Sequence, residues 1–419
     1  MSRIGIAFIL SHCLMGCLAR RETTKSLSTG IWRATITIQD QSLPFNFEVN
    51  KGSNDDFILN LINGEEKIQL DNVIVTQDSV DIVLHVFDAN IKAKILGDGD
   101  TLRGEFIKNY AEDYRIPFLA VRGQSFRFED RTTTDAAPDF TGKYTVRFTD
   151  EVDTIPAVAI FEQKGVTLTG TFLTPTGDYR YLEGSIGDTG QLQLSTFDGN
   201  HAYLFRAYRE PNGILRGEYY SGKTLMQQWV AEPDSNASLP DAEKLTYLKD
   251  GYDRISFSFP DVTGKGVSLT DPKYQDKVVI LQLFGTWCPN CLDETKFLVS
   301  WYDENKDRGI EIIGLAYERK ADFTYASDRV KRVIDKFNIG YDIVIAGTDD
   351  KAEASKTLPM LNEVFAFPTT VYIGKDGKVK RIHAGFSGPG TGVYFDQFKQ
   401  HFNEIVNELL KEDQASLIN

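Results

Sequence analysis

From residue 27 to residue 232 apolar and polar positions alternate in short runs. WRATITI (32–38), LPFNFEV (43–49), DFILNLI (56–62) and VDIVLHVF (80–87) alternate or are β-branched, and Gly, Asn and Asp interrupt them roughly every eight to twelve residues. A two-residue period with turns at that spacing predicts the short strands of a barrel or sandwich, and no helical period is present. AEPDSNASLPDAEKL (231–245) then reads as a linker, and the texture changes. KVVILQLF (277–284) is a continuous apolar run, which predicts a strand buried on both faces. Behind it the pattern predicts a helix from Pro289 to about Lys306, strand EIIGLAY (311–317), a helix near 327–337 and strand YDIVIAG (341–347). A helix near 351–363, strands TTVYIG (369–374) and KVKRIHA (378–384), and a closing helix carrying Phe398, Phe402, Ile405 and Leu409 complete it. Strands alternating with helices predict parallel pairing in an α/β layer, finished by an antiparallel hairpin.

The β region repeats itself. Gly30-Ile31-Trp32 returns as Gly142-Lys143-Tyr144, and LPFNFEV (43–49) as IPAVAIF (155–161), both at an offset of 112. FDAN (87–90) returns as FDGN (197–200) at 110, and LRGEF (102–106) as LRGEY (215–219) at 113. Four landmarks in one order at nearly one offset indicate a duplication, with EDRTTTDAAPD (129–139) as the seam. Each copy has room for about eight short strands. The expected division is a leader over 1–17, β repeats over 27–129 and 139–232, a linker over 233–245 and an α/β domain over 246–413. The repeats themselves read as a rigid spacer or docking surface.

The chain of 419 residues carries a formal charge of −14 and no basic stripe, which argues against nucleic acid as a partner. Its four cysteines are Cys13, Cys17, Cys288 and Cys291. The opening MSRIGIAFILSHCLMGC has Arg3, an apolar stretch from Ile4 to Leu10 and small Gly16 before Cys17, the order of a signal peptide. Leu14-Met15-Gly16-Cys17 resembles a bacterial lipoprotein cleavage box, in which the cysteine becomes lipidated; Met15 departs from the small residue usual there. The expectation is an exported protein of the bacterial envelope, facing the periplasm and held to a membrane through lipidated Cys17. Without the leader, Cys288 and Cys291 are the remaining pair, too few for disulfide stapling of a chain this long, so the pair points to chemistry. The five histidines, His12, His85, His201, His383 and His401, show no ligand spacing and no second CxxC occurs, so no metal is expected.

FGTWCPNCLDE (284–294) follows the buried strand. Pro289 suits the first helical position, which places Cys288 at the N-cap, where free N–H groups and the helix dipole favour a thiolate. Cys291 lies one turn on, within disulfide reach, so Cys288 is expected exposed and Cys291 shielded. Glu294 returns to the same helical face. It is either a base for Cys291 or an exposed first-turn carboxylate, and the spacing leaves both open. Pro368 in FAFPTTVYIG stands directly before a strand, a setting compatible with a cis bond. Glu318, just after a strand on the same rim, is a second candidate carboxylate. His383 reads as a surface residue, and GFSGPGTG (385–392) lacks a phosphate-loop ending and reads as the turn before the last helix.

With these motifs, residues from about Asp253 onward resemble the thioredoxin superfamily, in particular the membrane-tethered TlpA/ResA-like thiol–disulfide oxidoreductases (AhpC/TSA-like domains). The resemblance implies a thioredoxin fold, Cys288 as nucleophile, Cys291 as resolving cysteine, a cis Pro368 beside the disulfide and Glu294 tuning the cysteines. It also implies that Trp287, Pro289 and Phe367 meet the substrate. Phe367 before the proline and Ala366, where many relatives carry glycine, depart from the pattern. The implied function is reduction of protein disulfides through a mixed disulfide, with a protein electron donor and no cofactor beyond the Cys288–Cys291 couple. Two alternatives are a peroxiredoxin-like thiol peroxidase, whose Pro-x-x-x-Thr/Ser-x-x-Cys setting FGTWC lacks, and a surface ligand-binding lipoprotein with a vestigial redox domain.

Overall fold

The alternating region closes into two barrels. The first has eight antiparallel strands in sequence order, from Gly30–Ile38 to Arg115–Arg122, and its last strand pairs with its first. Alternate residues of the opening strand, Trp32, Ala34, Ile36 and Ile38, point inward and are buried. Closure leaves the barrel no unpaired edge. The second barrel closes through Thr154–Lys164, which pairs with both Gly142–Thr149 and Thr167–Thr174. It also carries a two-residue strand, Gly177–Asp178, beside Leu173–Thr174. The computed structural model describes residues 26–54, 56–84, 86–129 and 138–416. The leader with Cys17 and residues 130–137 of the seam lie outside the described residues, as do His12 and His85. Among the described residues no helix is long and apolar enough to cross a membrane.

The C-terminal module is a five-stranded sheet with Val278–Phe284 at its centre. That strand runs parallel to Ile310–Glu318, itself parallel to Asp342–Thr348, and antiparallel to Thr369–Ile373, which pairs with Val379–Ala384. All seven central residues are buried, as their continuous apolar run predicts. Helices α1 (Pro289–Asn305), α2 (Phe323–Phe337), α3 (Lys351–Thr357) and α4 (Val393–Ser416) complete the module. The helix expected over 351–363 ends at Thr357, because Leu358 precedes Pro359 and is forced from helical dihedrals to φ −126° and ψ 68°. The stretch read as a linker is firmly placed: Asp234 N–H donates to Lys143 O at 2.9 Å, and Ala237 is buried against Val158 and Leu173.

The duplicated hairpins join the modules in series. VDIVLHVF is not one strand; it stops at Val83, and the chain turns so that Val86 and Phe87 enter the core of the C-terminal module. The matching residue of the second copy, Phe197, enters the core of the first barrel, 4.4 Å from the ring of Phe45 and 5.1 Å from that of Phe106. Each inserted phenylalanine contributes about 1.5–3 kcal/mol of apolar burial. The neighbouring Asp88–Arg329 contact, partly exposed at 3.6 Å, adds at most about 1 kcal/mol. At this hairpin apolar insertion outweighs the ion pair.

Arg180, on the second barrel, is buried where the three modules meet. Its guanidinium reaches Glu66 of the first barrel, Asp293 of α1 and, at 3.8 Å, Asp198 of its own barrel. Burial drives Asp198 upward, yet His201 and Arg180 hold its carboxyl down at about 2. Replacing Arg180 with methionine removes the shared cation from two buried carboxylates, Asp198 and Asp293, and from the partly buried Glu66, leaving His201 beside Asp198 and Lys296 beside Asp293. The expected loss is about 3–5 kcal/mol, read as a lower denaturation midpoint of the full chain. A variant as stable as the parent contradicts the hub.

Candidate active site

The central strand delivers Gly285-Thr286-Trp287 to the start of α1. A side chain at Gly285 would meet Trp287 Nε1 at 2.1 Å, so the turn needs glycine there. Cys288 is the N-cap with φ −101° and ψ 109°, Pro289 opens the helix, and Cys288 Sγ accepts the Cys291 N–H at 3.2 Å. The sulfurs of Cys288 and Cys291 form a disulfide, with a Cα–Cα distance of 5.2 Å. The Phe367–Pro368 peptide bond is cis, and Phe367 O lies 3.6 Å from Cys288 Sγ. The structure brings the two cysteines, Pro289, Phe367 and Pro368 together in one site.

Glu294 is fully buried beneath the helix, which rules out the exposed first-turn reading. Gln282 Nε2 donates to one carboxylate oxygen at 2.8 Å and Thr370 Oγ1 to the other at 2.7 Å. Gln282 Nε2 also reaches Cys291 O at 3.3 Å, linking the carboxylate to the resolving cysteine's turn. Burial pushes the Glu294 carboxyl up to about 7, against the pull of Thr370 and Gln282. Gln282 and Thr370 were not singled out from the sequence. The signal was present for Gln282, the one polar residue of an otherwise apolar strand, and weaker for Thr370, which shares its strand with Thr369 and Tyr372.

Glu318 anchors the turn. Its carboxylate accepts from Thr286 N at 2.9 Å and Thr286 Oγ1 at 2.8 Å, and burial pushes it up to about 7, opposed by those bonds and by Arg329 and Arg319. Trp287 Nε1 donates to Tyr317 O at 2.8 Å, and its ring meets Phe367 edge-on at 5.9 Å. The Arg319 guanidinium lies 4.4 Å from the Trp287 ring. His383 is half-buried on Val379–Ala384, and burial lowers its imidazole to about 4.

A thiol–disulfide oxidoreductase ResA from Geobacillus thermodenitrificans is 30% identical over 150 residues, covering 36% of this chain and 74% of that protein. The chain belongs to the TlpA/ResA-like branch of the thioredoxin superfamily. It is a thiol–disulfide oxidoreductase, and its C-terminal module has the thioredoxin fold. The AhpC/TSA family profile matches residues 251–382 of this module. A ResA from Halalkalibacterium halodurans is 26% identical over 156 residues, 37% of this chain and 76% of that protein. A thioredoxin family thiol:disulfide interchange protein from Chlorobium tepidum, of solved structure, is 23% identical with a TM-score of 0.30 and covers 39% of this chain and 99% of its own.

In one respect the ResA-like site differs from expectation. Cys288 is only 7% exposed rather than open to solvent. The residues expected to meet substrate are covered too: Pro289 and Phe367 are buried and Trp287 is half-buried. Phe367 lies over Cys288 within the module, and the second barrel packs against the residues on either side of that sulfur, through Asn200 to Trp287 O and Asp178 O to Asn290.

Proposed function

We propose that this chain reduces protein disulfides, and the placement of Cys288 Sγ as the cap of α1 carries that reading. The same backbone N–H and helix start that face the sulfur in the disulfide favour its negative charge once reduced. The Cys288 thiolate attacks one sulfur of a substrate disulfide; that bond breaks, and the other substrate sulfur leaves as a thiolate and takes up a proton. Cys291 then passes its proton to Glu294 and attacks Cys288 Sγ. The mixed disulfide breaks, the second substrate thiol leaves, and the Cys288–Cys291 disulfide remains. Two electrons from a protein dithiol restore the reduced pair, with no further cofactor. Trp287, Pro289 and Phe367 frame the attacking sulfur.

The leader sequence supports an exported protein anchored through lipidated Cys17 on the periplasmic side of the bacterial envelope. Equilibrating the full mature chain with glutathione buffers tests the direction of transfer. A midpoint near −270 mV, at about the thioredoxin end, is expected of a reductant; one near −120 mV makes the chain an oxidant.

A further inference from the structure

Two walls of barrel residues flank the turn that carries Cys288, one from each copy of the repeat. On the second-barrel side, Asn200 of the FDGN hairpin donates to Trp287 O, the carbonyl just before Cys288, at 2.8 Å. Asp178 O accepts from Asn290 Nδ2, between the two cysteines, at 2.9 Å, and Asp178 Oδ2 accepts from Gly388 N at 2.6 Å. One loop of the second barrel thus bridges the first turn of α1 and the 385–392 turn. The seam is tight: a side chain at Gly177 would come within 2.4 Å of Asn290 Nδ2, and one at Gly385 within 2.6 Å of Pro175 O. On the first-barrel side, Tyr110 stacks 4.8 Å from the same Arg319 guanidinium that covers Trp287. Arg180 ties both walls to α1.

We infer that these loops form a fixed rim that determines specificity, admitting disulfides carried on extended, locally unfolded chain segments and turning away disulfides on the surface of folded proteins. The inference rests on the exchange reading above. An extended segment is one chain wide and can reach a recessed sulfur between two walls, whereas a folded surface meets the walls first. The rim explains why Cys288 is 7% exposed although it heads its helix.

The test compares kcat/KM for two substrates of the reduced full chain, a linear peptide closed by one disulfide between neighbouring cysteines and folded insulin. The parent should favour the peptide by at least about tenfold, and Tyr110→Ala should shrink that ratio by at least about threefold by raising the insulin rate. Arg180→Met should shift the ratio the same way; Tyr110→Ala, at a half-buried turn, keeps the test decisive if the buried substitution does not fold. Equal kcat/KM on both substrates, or a ratio unmoved in a folded Tyr110→Ala, overturns the rim alone. A parent idle on both overturns the exchange reading and the rim with it.

Discussion

Cys288→Ser should lower turnover of a linear peptide disulfide at least about a thousandfold, because oxygen at that position neither ionises near neutral pH nor forms the mixed disulfide. Cys291→Ser should fail differently. Its Cys288 still attacks, but nothing one turn away can break the new bond, so enzyme and substrate remain joined. Non-reducing electrophoresis and mass spectrometry should show the joined species at Cys288, released by dithiothreitol. Robust turnover by Cys288→Ser, or linkage through another residue, removes Cys288 from the nucleophile's role. The two variants separate the roles because only Cys288 accepts a backbone N–H as the helix cap, while Cys291 is wholly buried.

The second large effect concerns Glu294. Glu294→Gln should slow the resolving step about a hundredfold and flatten the rise in rate that the parent shows as pH climbs through about 7, where this carboxylate ionises. Stability should move the other way. Burial raises the carboxyl from an ordinary 4.5 to about 7, so the folded state favours the neutral form. Its stabilising contribution is complete below 4.5 and declines as pH rises through 7. The shift corresponds to about 3 kcal/mol once Glu294 is fully ionised. Denaturant unfolding should therefore find Glu294→Gln more stable than the parent at pH 8.5 and not at pH 4. Glu318, raised in the same direction, leaves the variant a residual decline with pH. An unchanged pH–rate profile together with an unchanged pH–stability profile removes Glu294 from the mechanism.

Much of the fold was legible because burial imposes periods on the sequence. Trp32, Ala34, Ile36 and Ile38 alternate because one face of their strand lines a barrel. Val278–Phe284 is apolar throughout because it is covered on both faces. The N-cap of α1 was legible because Cys288-Pro289 satisfies a local rule that needs no tertiary contact. What stayed hidden depends on contacts between modules. Val86 and Phe87 carry the apolar signature of a strand, and only the neighbouring module shows that they are an inserted plug. The burial of Cys288 was invisible for the same reason, since Asn200 and Asp178 lie about a hundred residues upstream of it. The early end of α3 was legible in Pro359, which the helical reading passed over.

The serial insertion of Phe197 into the first barrel, and of Phe87 into the C-terminal module, makes excision hazardous. A fragment beginning near residue 246 would keep its cysteines but strip the oily seat that Val86 and Phe87 occupy, inviting self-association. Studies on such a truncated catalytic piece would then report on a stickier and more open molecule than the one the intact gene product presents.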